Sequence, residues 1–448
     1  MKYRASRFNF RTTSPNNEII IYNSAAGTLG AVPVEEKEKL NYFLHKKTVL
    51  ENPTDSLALD LIEGGYLIPE QTDETKELLG LIEQRDENSE LFITIMPTED
   101  CNFRCVYCFE HFKRGAMSKE IQDGIFNFVR KKLENKDKPY NRLHVNWFGG
   151  EPLYALEVLE NLGGRFQSLT KELGVGYYSS ITTNGYLLNK DVFSKLIKLN
   201  VRYYTITLDG LKHSHDATRV HREGFGTFDT IIENMKEMSG TSYEFTVQLR
   251  SNYSPKSYEN LDEFFNFIKL EFGQDKRFDN IDVRPIFDQG GFNEGNFDEC
   301  VSAHLRNKFK GLHKARDYNL FNRSLKMYIQ PGGIVCNASK PNYWLFGSDG
   351  KIMRCNVELD THDRNVIGRI TNEGSAEIDY NKLSMWLDAG RNDEKCHKCY
   401  FSPSCQGAYC GKLRFENEEK NIKEQPCPTE KKQLSELLRV VYEEMMVL

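Results

Sequence analysis

Apolar side chains alternate at the start of the chain before they fall into helical spacing. Phe8 and Phe10 stand two apart, a Ser-Pro-Asn-Asn turn (Ser14 to Asn17) follows, and Ile19-Ile20-Ile21-Tyr22 is a β-rich run, so a hairpin is predicted. Leu40, Phe43 and Leu44 then share one face of a helical stretch from Val34 to about Lys46. A second stretch runs from Ser56 to Glu63 and is closed by Gly64-Gly65. A hairpin with short helices predicts a winged-helix-like module over residues 1–90. From 91 to 300 the pattern becomes strand, then helix, repeated. Strands are expected at Leu91–Met96, Leu143–Phe148, Ser179–Thr183, Tyr203–Leu208, Glu244–Arg250 and Asn280–Ile286, with helices such as Ser118–Leu133 and Glu157–Leu173 between them. Repeated βα units make a parallel sheet with helices outside, and six fall short of a closed eight-stranded barrel. The expected fold is therefore α/β, a partial (β/α)6 TIM-like barrel. Residues 301–330 read as a linker, and 331–448 as a loop-rich domain in which metal replaces a hydrophobic core.

Composition narrows the partners. The net charge is −6, from 59 basic and 65 acidic residues, so neither nucleic acid nor an anionic membrane is expected. No run approaches a membrane span, and the N-terminal MKYRASRFNF has no apolar signal region; a cytoplasmic protein is expected. Eleven cysteines in a reducing compartment then need a reason other than disulfides. None precedes Cys101, three fall between Cys101 and Cys108, and seven lie between Cys336 and Cys427. Burial explains single cysteines; clustering favours metal.

The first cluster, Cys101-x3-Cys105-x2-Cys108 with Tyr107 before its last cysteine, follows the first barrel strand. Three thiolates this close can hold three irons of a cubane [4Fe–4S] cluster and leave the fourth iron open. Zinc, with His111 as a further ligand, is the lesser alternative. Trp147-Phe148-Gly149-Gly150-Glu151-Pro152 ends the second strand, where glycines let backbone approach a ligand and a carboxylate can pair with an ammonium. Thr182-Thr183-Asn184-Gly185 ends the third strand and Arg250-Ser251-Asn252 the fifth. Leu208-Asp209-Gly210, followed by His215-Asp216 and Arg219, ends the fourth, its histidines read as solvated.

These motifs in this order resemble the radical S-adenosylmethionine (SAM) superfamily. The resemblance implies that Cys101, Cys105 and Cys108 hold a catalytic cluster whose open iron chelates SAM, and that SAM is cleaved to a 5′-deoxyadenosyl radical. Tyr107 would lie against the adenine, and Gly149, Gly150, Glu151 and Pro152 would hold the SAM amino group. Thr183 and Asn184 would sit near SAM, and Arg250 would bind its carboxylate.

The remaining cysteines run Cys336, Cys355, then Cys396-x2-Cys399-x5-Cys405-x4-Cys410, then Cys427. The pattern is similar to the seven-cysteine SPASM extension, which carries two auxiliary [4Fe–4S] clusters. It departs from it in having four residues rather than three before Cys410. The resemblance assigns Cys396, Cys399, Cys405 and Cys427 to one cluster and Cys336, Cys355 and Cys410 to the other. That second cluster would be open or completed by Cys300, giving three [4Fe–4S] clusters in all. Related peptide maturases carry a winged-helix-like module that recruits the leader of a ribosomally made precursor peptide, and take electrons from a flavodoxin or ferredoxin. The expected activity is that of an oxidoreductase forming thioether cross-links from cysteine sulfur to carbon. Carbon–carbon cross-linking, epimerisation and formylglycine formation are the enzymatic alternatives; an iron–sulfur electron carrier or a zinc-stabilised adaptor are the non-catalytic ones.

Overall fold

The computed structural model describes residues 1–113, 115–286, 308–371 and 375–447. They divide into two compact units, each drawn from separated stretches of chain. One comprises Met1–Asn88, Arg323–Pro341 and Met385–Leu448, the other Ser89–Asn322 and Asn342–Ser384.

In the first unit β1 (Lys2–Ala5) lies between β5 (Val49–Glu51) and β6 (Leu67–Pro69). A second sheet runs β2 (Asn9–Thr13), β3 (Ile19–Asn23), β4 (Thr28–Val32), all antiparallel. The predicted hairpin is thus β2–β3, and the predicted helices appear at Lys37–Phe43 and Ser56–Glu63. Asp55 caps the second by accepting from the amides of Leu57 and Ala58. Ile21, Val32, Leu40, Phe43, Leu61 and Tyr66 form the core here.

The cysteine-rich C-terminal stretch packs on these strands. Tyr22, fully buried on β3, donates its hydroxyl to the Ile329 carbonyl (2.7 Å) and lies 2.8 Å from the Ser404 hydroxyl. Ser24 donates to the Tyr400 carbonyl at 2.5 Å, and Phe10 stacks on Tyr400 with centroids 5.5 Å apart. The last helix, Leu434–Val447, packs along β2 and β3, with Arg439 donating to the Thr13 carbonyl at 2.8 Å. Residues 1–88 and 385–448 therefore stabilise one another instead of forming separate domains. Tyr22→Phe leaves buried partners on Ile329 and Ser404 unmet and is expected to cost about 1–3 kcal/mol. Chemical denaturation should show this as a lower midpoint at unchanged slope.

The second unit is built on a ten-stranded sheet. Six strands are the predicted ones: β7 (Glu90–Ile95), β9 (Arg142–Trp147), β10 (Gly176–Thr183), β11 (Val201–Thr207), β13 (Thr246–Tyr253) and β14 (Asn280–Pro285), paired in parallel in that order. Burial alternates along several of them, as in β9, where Leu143, Val145 and Trp147 are buried and His144 and Asn146 are only partly so. The connecting helices Lys119–Leu133 and Leu156–Leu173 match the helical periodicity, and Ser118 caps the first. The other strands come from outside the βα repeat. β15 (Tyr343–Phe346) pairs in parallel with β7, and β16 (Lys351–Met353), β17 (Val366–Ile370) and β18 (Ala376–Ile378) continue antiparallel. Part of the stretch expected to be loop-rich thus extends the sheet. No helix among the described residues is long and apolar enough to cross a membrane.

Candidate active site

Parallel strands deliver their C-terminal ends to one side of a sheet, and the motif residues sit there. The loop after β7 carries the three cysteines. Its β8 (Phe103–Cys105) pairs antiparallel with β12 (Arg219–His221), which sets Cys105 opposite Arg219. The Phe103 amide donates to Cys101 Sγ at 3.3 Å, and the Cys108 amide to the Cys105 carbonyl at 3.1 Å. Cys101, Cys105 and Cys108 line one cavity of about 200 Å³ together with Tyr107, Gly149, Gly150, Thr183, Asn184 and Arg250. Burial pushes the Cys101 thiol up to about 12 and raises Cys105 and Cys108 as well. Such thiols become ligands only when a bound cation displaces their protons.

The Gly-Gly-Glu-Pro turn lies directly on the cysteine loop. A Cβ on Gly150 would stand 2.4 Å from the Asp100 carbonyl oxygen and 2.5 Å from that of Glu99, so only glycine fits. Glu151 is fully buried and is absent from the cavity lining. Its Oε1 accepts from the Thr183 hydroxyl (2.7 Å) and the Leu153 amide (3.0 Å), and its Oε2 from the Asn184 amide (2.7 Å). The carboxylate ties two motif turns together. Pro152 opens the short helical turn Pro152–Ala155 behind it. Asn184 donates to the Asn102 side chain at 2.8 Å, and Arg250 lies 3.1 Å from Asp282.

Around Tyr107 is a buried polar network. Its hydroxyl donates to Asp209 and accepts from Arg219 (2.8 Å) and from Asn252 Nδ2 (3.1 Å), while the Asn252 amide donates to Asp209 at 2.9 Å. Burial raises Asp209 even though Arg219 opposes it; burial also works against the charge on Arg219, but its neighbours Cys105, Tyr107 and Asp209 outweigh this and raise it. His215 is not solvated as expected: it is fully buried, accepts from the Asp209 amide at 3.2 Å and lies 3.1 Å from the Thr227 hydroxyl. Its place on a short polar helix hid this, because the burial comes from the helix Phe228–Ser239 packed over it. Sequence reasoning also passed over Asn252 and Glu110. Glu110 lines the cavity, and burial, aided by Glu99, pushes its carboxyl up to about 8.

Residues 95–267 match the radical SAM superfamily. That stretch of the chain is a radical SAM domain. Over 338 residues it is 25% identical to a cysteine-type anaerobic sulfatase-maturating enzyme of Clostridium novyi, spanning 70% of this chain and 87% of that one. It is 21% identical to the radical SAM cyclopropyl synthase TigE of Paramaledivibacter caminithermalis, spanning 64% of each. The solved structure of anSMEcpe with bound AdoMet and the Cp18Cys peptide superposes with a TM-score of 0.54 at 18% identity, covering 74% of this chain and 98% of that one. That likeness is one of fold.

The other described cysteines of the chain lie outside the matched residues. In the first unit Cys396, Cys399, Cys405 and Cys427 line a cavity of about 370 Å³. Arg414 donates to Cys396 Sγ at 3.3 Å, Lys431 to Cys427 Sγ at 3.5 Å, and the Phe401 amide to Cys399 Sγ at 3.4 Å. Burial alone would lower Lys431, but Cys399 and Cys427 raise it, so it is a firm cation. Burial pushes Cys405 up to about 12. Among the described residues no three His, Cys, Asp or Glu side chains are gathered to hold a single metal ion. The donor set here, four thiols around a cavity with hydrogen bonds to three sulfurs, fits a cubane cluster. Cys336 and Cys410 are neighbours in the same unit: the Cys336 amide donates to the Ala408 carbonyl at 2.9 Å, and burial with Cys336 near by pushes Cys410 up to about 11. Cys355 belongs to the second unit, where its amide donates to Asn365 Oδ1 at 2.7 Å. Cys300 lies outside the described residues.

Proposed function

We propose that this protein is a radical SAM enzyme that modifies a precursor peptide, forming thioether links from cysteine sulfur to carbon. The observation that carries the reading is the meeting of three thiols, two glycine backbones and two guanidinium groups on a single cavity. SAM has a counterpart for each: amino and carboxylate groups for an open iron, a second charge on sulfur, and a flat adenine for Tyr107. When bound, the cluster supplies the electron that cleaves the sulfonium and releases a 5′-deoxyadenosyl radical.

The chain's own part is to hold and orient. Cys101, Cys105 and Cys108 anchor the cluster. The Gly149–Gly150 backbone, Thr183 and Asn184 form one wall of the SAM pocket, and Arg250 and Arg219 attract a carboxylate. The Tyr107–Asp209–Arg219 network keeps the cysteine loop in place from the other side. Cys396, Cys399, Cys405 and Cys427 hold an auxiliary cluster, Cys336 and Cys410 contribute to a further one, and a flavodoxin or ferredoxin supplies electrons. The outer strands β2, β4, β5 and β6 offer edges to which a leader peptide can add as an extra strand.

The test is mass spectrometry of an anaerobic reaction of reconstituted protein, SAM, a reductant and the short cysteine-bearing peptide encoded beside the gene. Thioether formation predicts 5′-deoxyadenosine, a peptide lighter by about two hydrogens per event, and cysteines that no longer alkylate. Formylglycine formation is the second reading, favoured by the sulfatase-maturating relative, and predicts an aldehyde in place of a thiol. SAM left intact by protein with its full iron would remove both readings.

A further inference from the structure

Several cations stand beside cysteine sulfurs, and most are neutralised where they stand. Arg219 acts on Cys105 but is tied through the Tyr107 hydroxyl to Asp209. Lys412, beside Cys410, is paired with Glu416. Arg414 donates to Cys396 Sγ at 3.3 Å and is paired with Asp393 at 3.1 Å. Lys431 differs. Its ammonium donates to Cys427 Sγ at 3.5 Å and also acts on Cys399. Among the described residues no carboxylate pairs with it, and Glu424 goes to its neighbour Lys432 instead.

Arg414 is also a structural tie, bonding the Gly407 carbonyl at 2.9 Å and Gln425 Oε1 at 2.8 Å. The polar contacts of the Lys431 ammonium are the sulfurs, with the Tyr400 ring centroid 5.9 Å away. Replacing Lys431 therefore removes a charge from the sulfurs without cutting a link between loops.

Four thiolates make a [4Fe–4S] cluster anionic, and taking up one electron adds a further negative charge. A fixed cation hydrogen-bonded to the sulfurs stabilises the reduced state more than the oxidised one, so the potential rises. Screening is weak, because Lys431 is half-buried in the wall of the 370 Å³ cavity.

We propose that the charge of Lys431 raises the reduction potential of the cluster held by Cys396, Cys399, Cys405 and Cys427. The inference rests on the reading of this cavity as a cluster site. Lys431 is a positioning residue that acts on the reaction only through those cysteines.

The experiment is a redox titration of full-length, anaerobically reconstituted protein, followed by low-temperature electron paramagnetic resonance, with iron counted in each sample. Cys399→Ala identifies the signal of this cluster as the one it loses. Lys431→Gln keeps a hydrogen-bond donor and removes the charge, whereas Lys431→Arg keeps the charge. For Lys431→Gln the expected result is an equilibrium constant for reduction about tenfold lower, about 59 mV for one electron, at unchanged iron content. Lys431→Arg should stay within about twofold of wild type. A Lys431→Gln cluster within about twofold of wild type overturns the proposal, and so does an equal fall in Lys431→Arg. If Lys431→Gln loses iron, Lys431→Met is judged by the same limits; loss of iron from both overturns the proposal, because the side chain is then needed to hold the cluster. A Cys399→Ala protein that keeps all its iron overturns the cluster reading itself, an outcome distinct from a loaded cluster whose potential Lys431→Gln leaves unaltered.

Discussion

Cys105→Ala is expected to lower 5′-deoxyadenosine production by roughly a thousandfold or more, because a cubane held by three thiolates does not survive with two. Cys105 is the sharpest of the three to test. It sits in β8, paired with Arg219, and the backbone ladder to β12 does not depend on its side chain, so the loop should keep its fold. Iron should fall by about four per chain, with the remainder held by the cysteines of the other unit. Iron analysis with low-temperature electron paramagnetic resonance separates the outcomes. Retention of all iron with full SAM cleavage would mean that the cavity at the sheet's C-terminal edge is not the cluster site. Loss of all iron would mean that the two cysteine groups load together.

Glu151→Ala is the second variant with a large effect, and its cause is structural. The carboxylate is fully buried and accepts three hydrogen bonds from two turns, those of Leu153 and of Thr183-Asn184. Removing it strands three donors away from water at about 1–3 kcal/mol each, less than additive because they share one site; about 3–5 kcal/mol in total is expected. Thermal unfolding measures the loss. SAM binding should weaken in the same variant, since Thr183 and Asn184 line the cavity. Glu151→Gln can still accept at one oxygen and should fall between wild type and Ala. A Glu151→Ala protein of wild-type stability that has lost SAM binding would return the carboxylate to the ligand.

The parallel strands and the three-cysteine loop were legible because their signals are local. Alternating runs of apolar and helical periodicity need only neighbours in sequence to be read, and Cys101, Cys105 and Cys108 lie within one turn-forming segment. The same holds for Gly150, where crowding follows from a short turn placed after a strand. The sequence was less informative about the ends of the chain. Tyr343-Trp344-Leu345-Phe346 is a buried apolar run in plain view, but its place beside β7 depends on pairing across some 250 residues, for which no short pattern exists.

The division of labour around the site was decided by tertiary structure alone. Glu151 and Glu110 are both carboxylates close to cluster motifs, and nothing in spacing separates one that accepts three hydrogen bonds from one that accepts none from the described residues. His215 looks solvated on a short polar helix until the helix Phe228–Ser239 covers it. The cysteines past Cys396 announce a metal site by composition, yet the support of their loop by Phe10, Tyr22 and Ser24 joins residues nearly 400 positions apart. Sequence alone therefore determined which chemistry the chain can carry, because ligand type and motif spacing are local. Burial and hydrogen-bond occupancy are properties of the packed interior, so which side chains remain free to perform that chemistry was decided only by the fold.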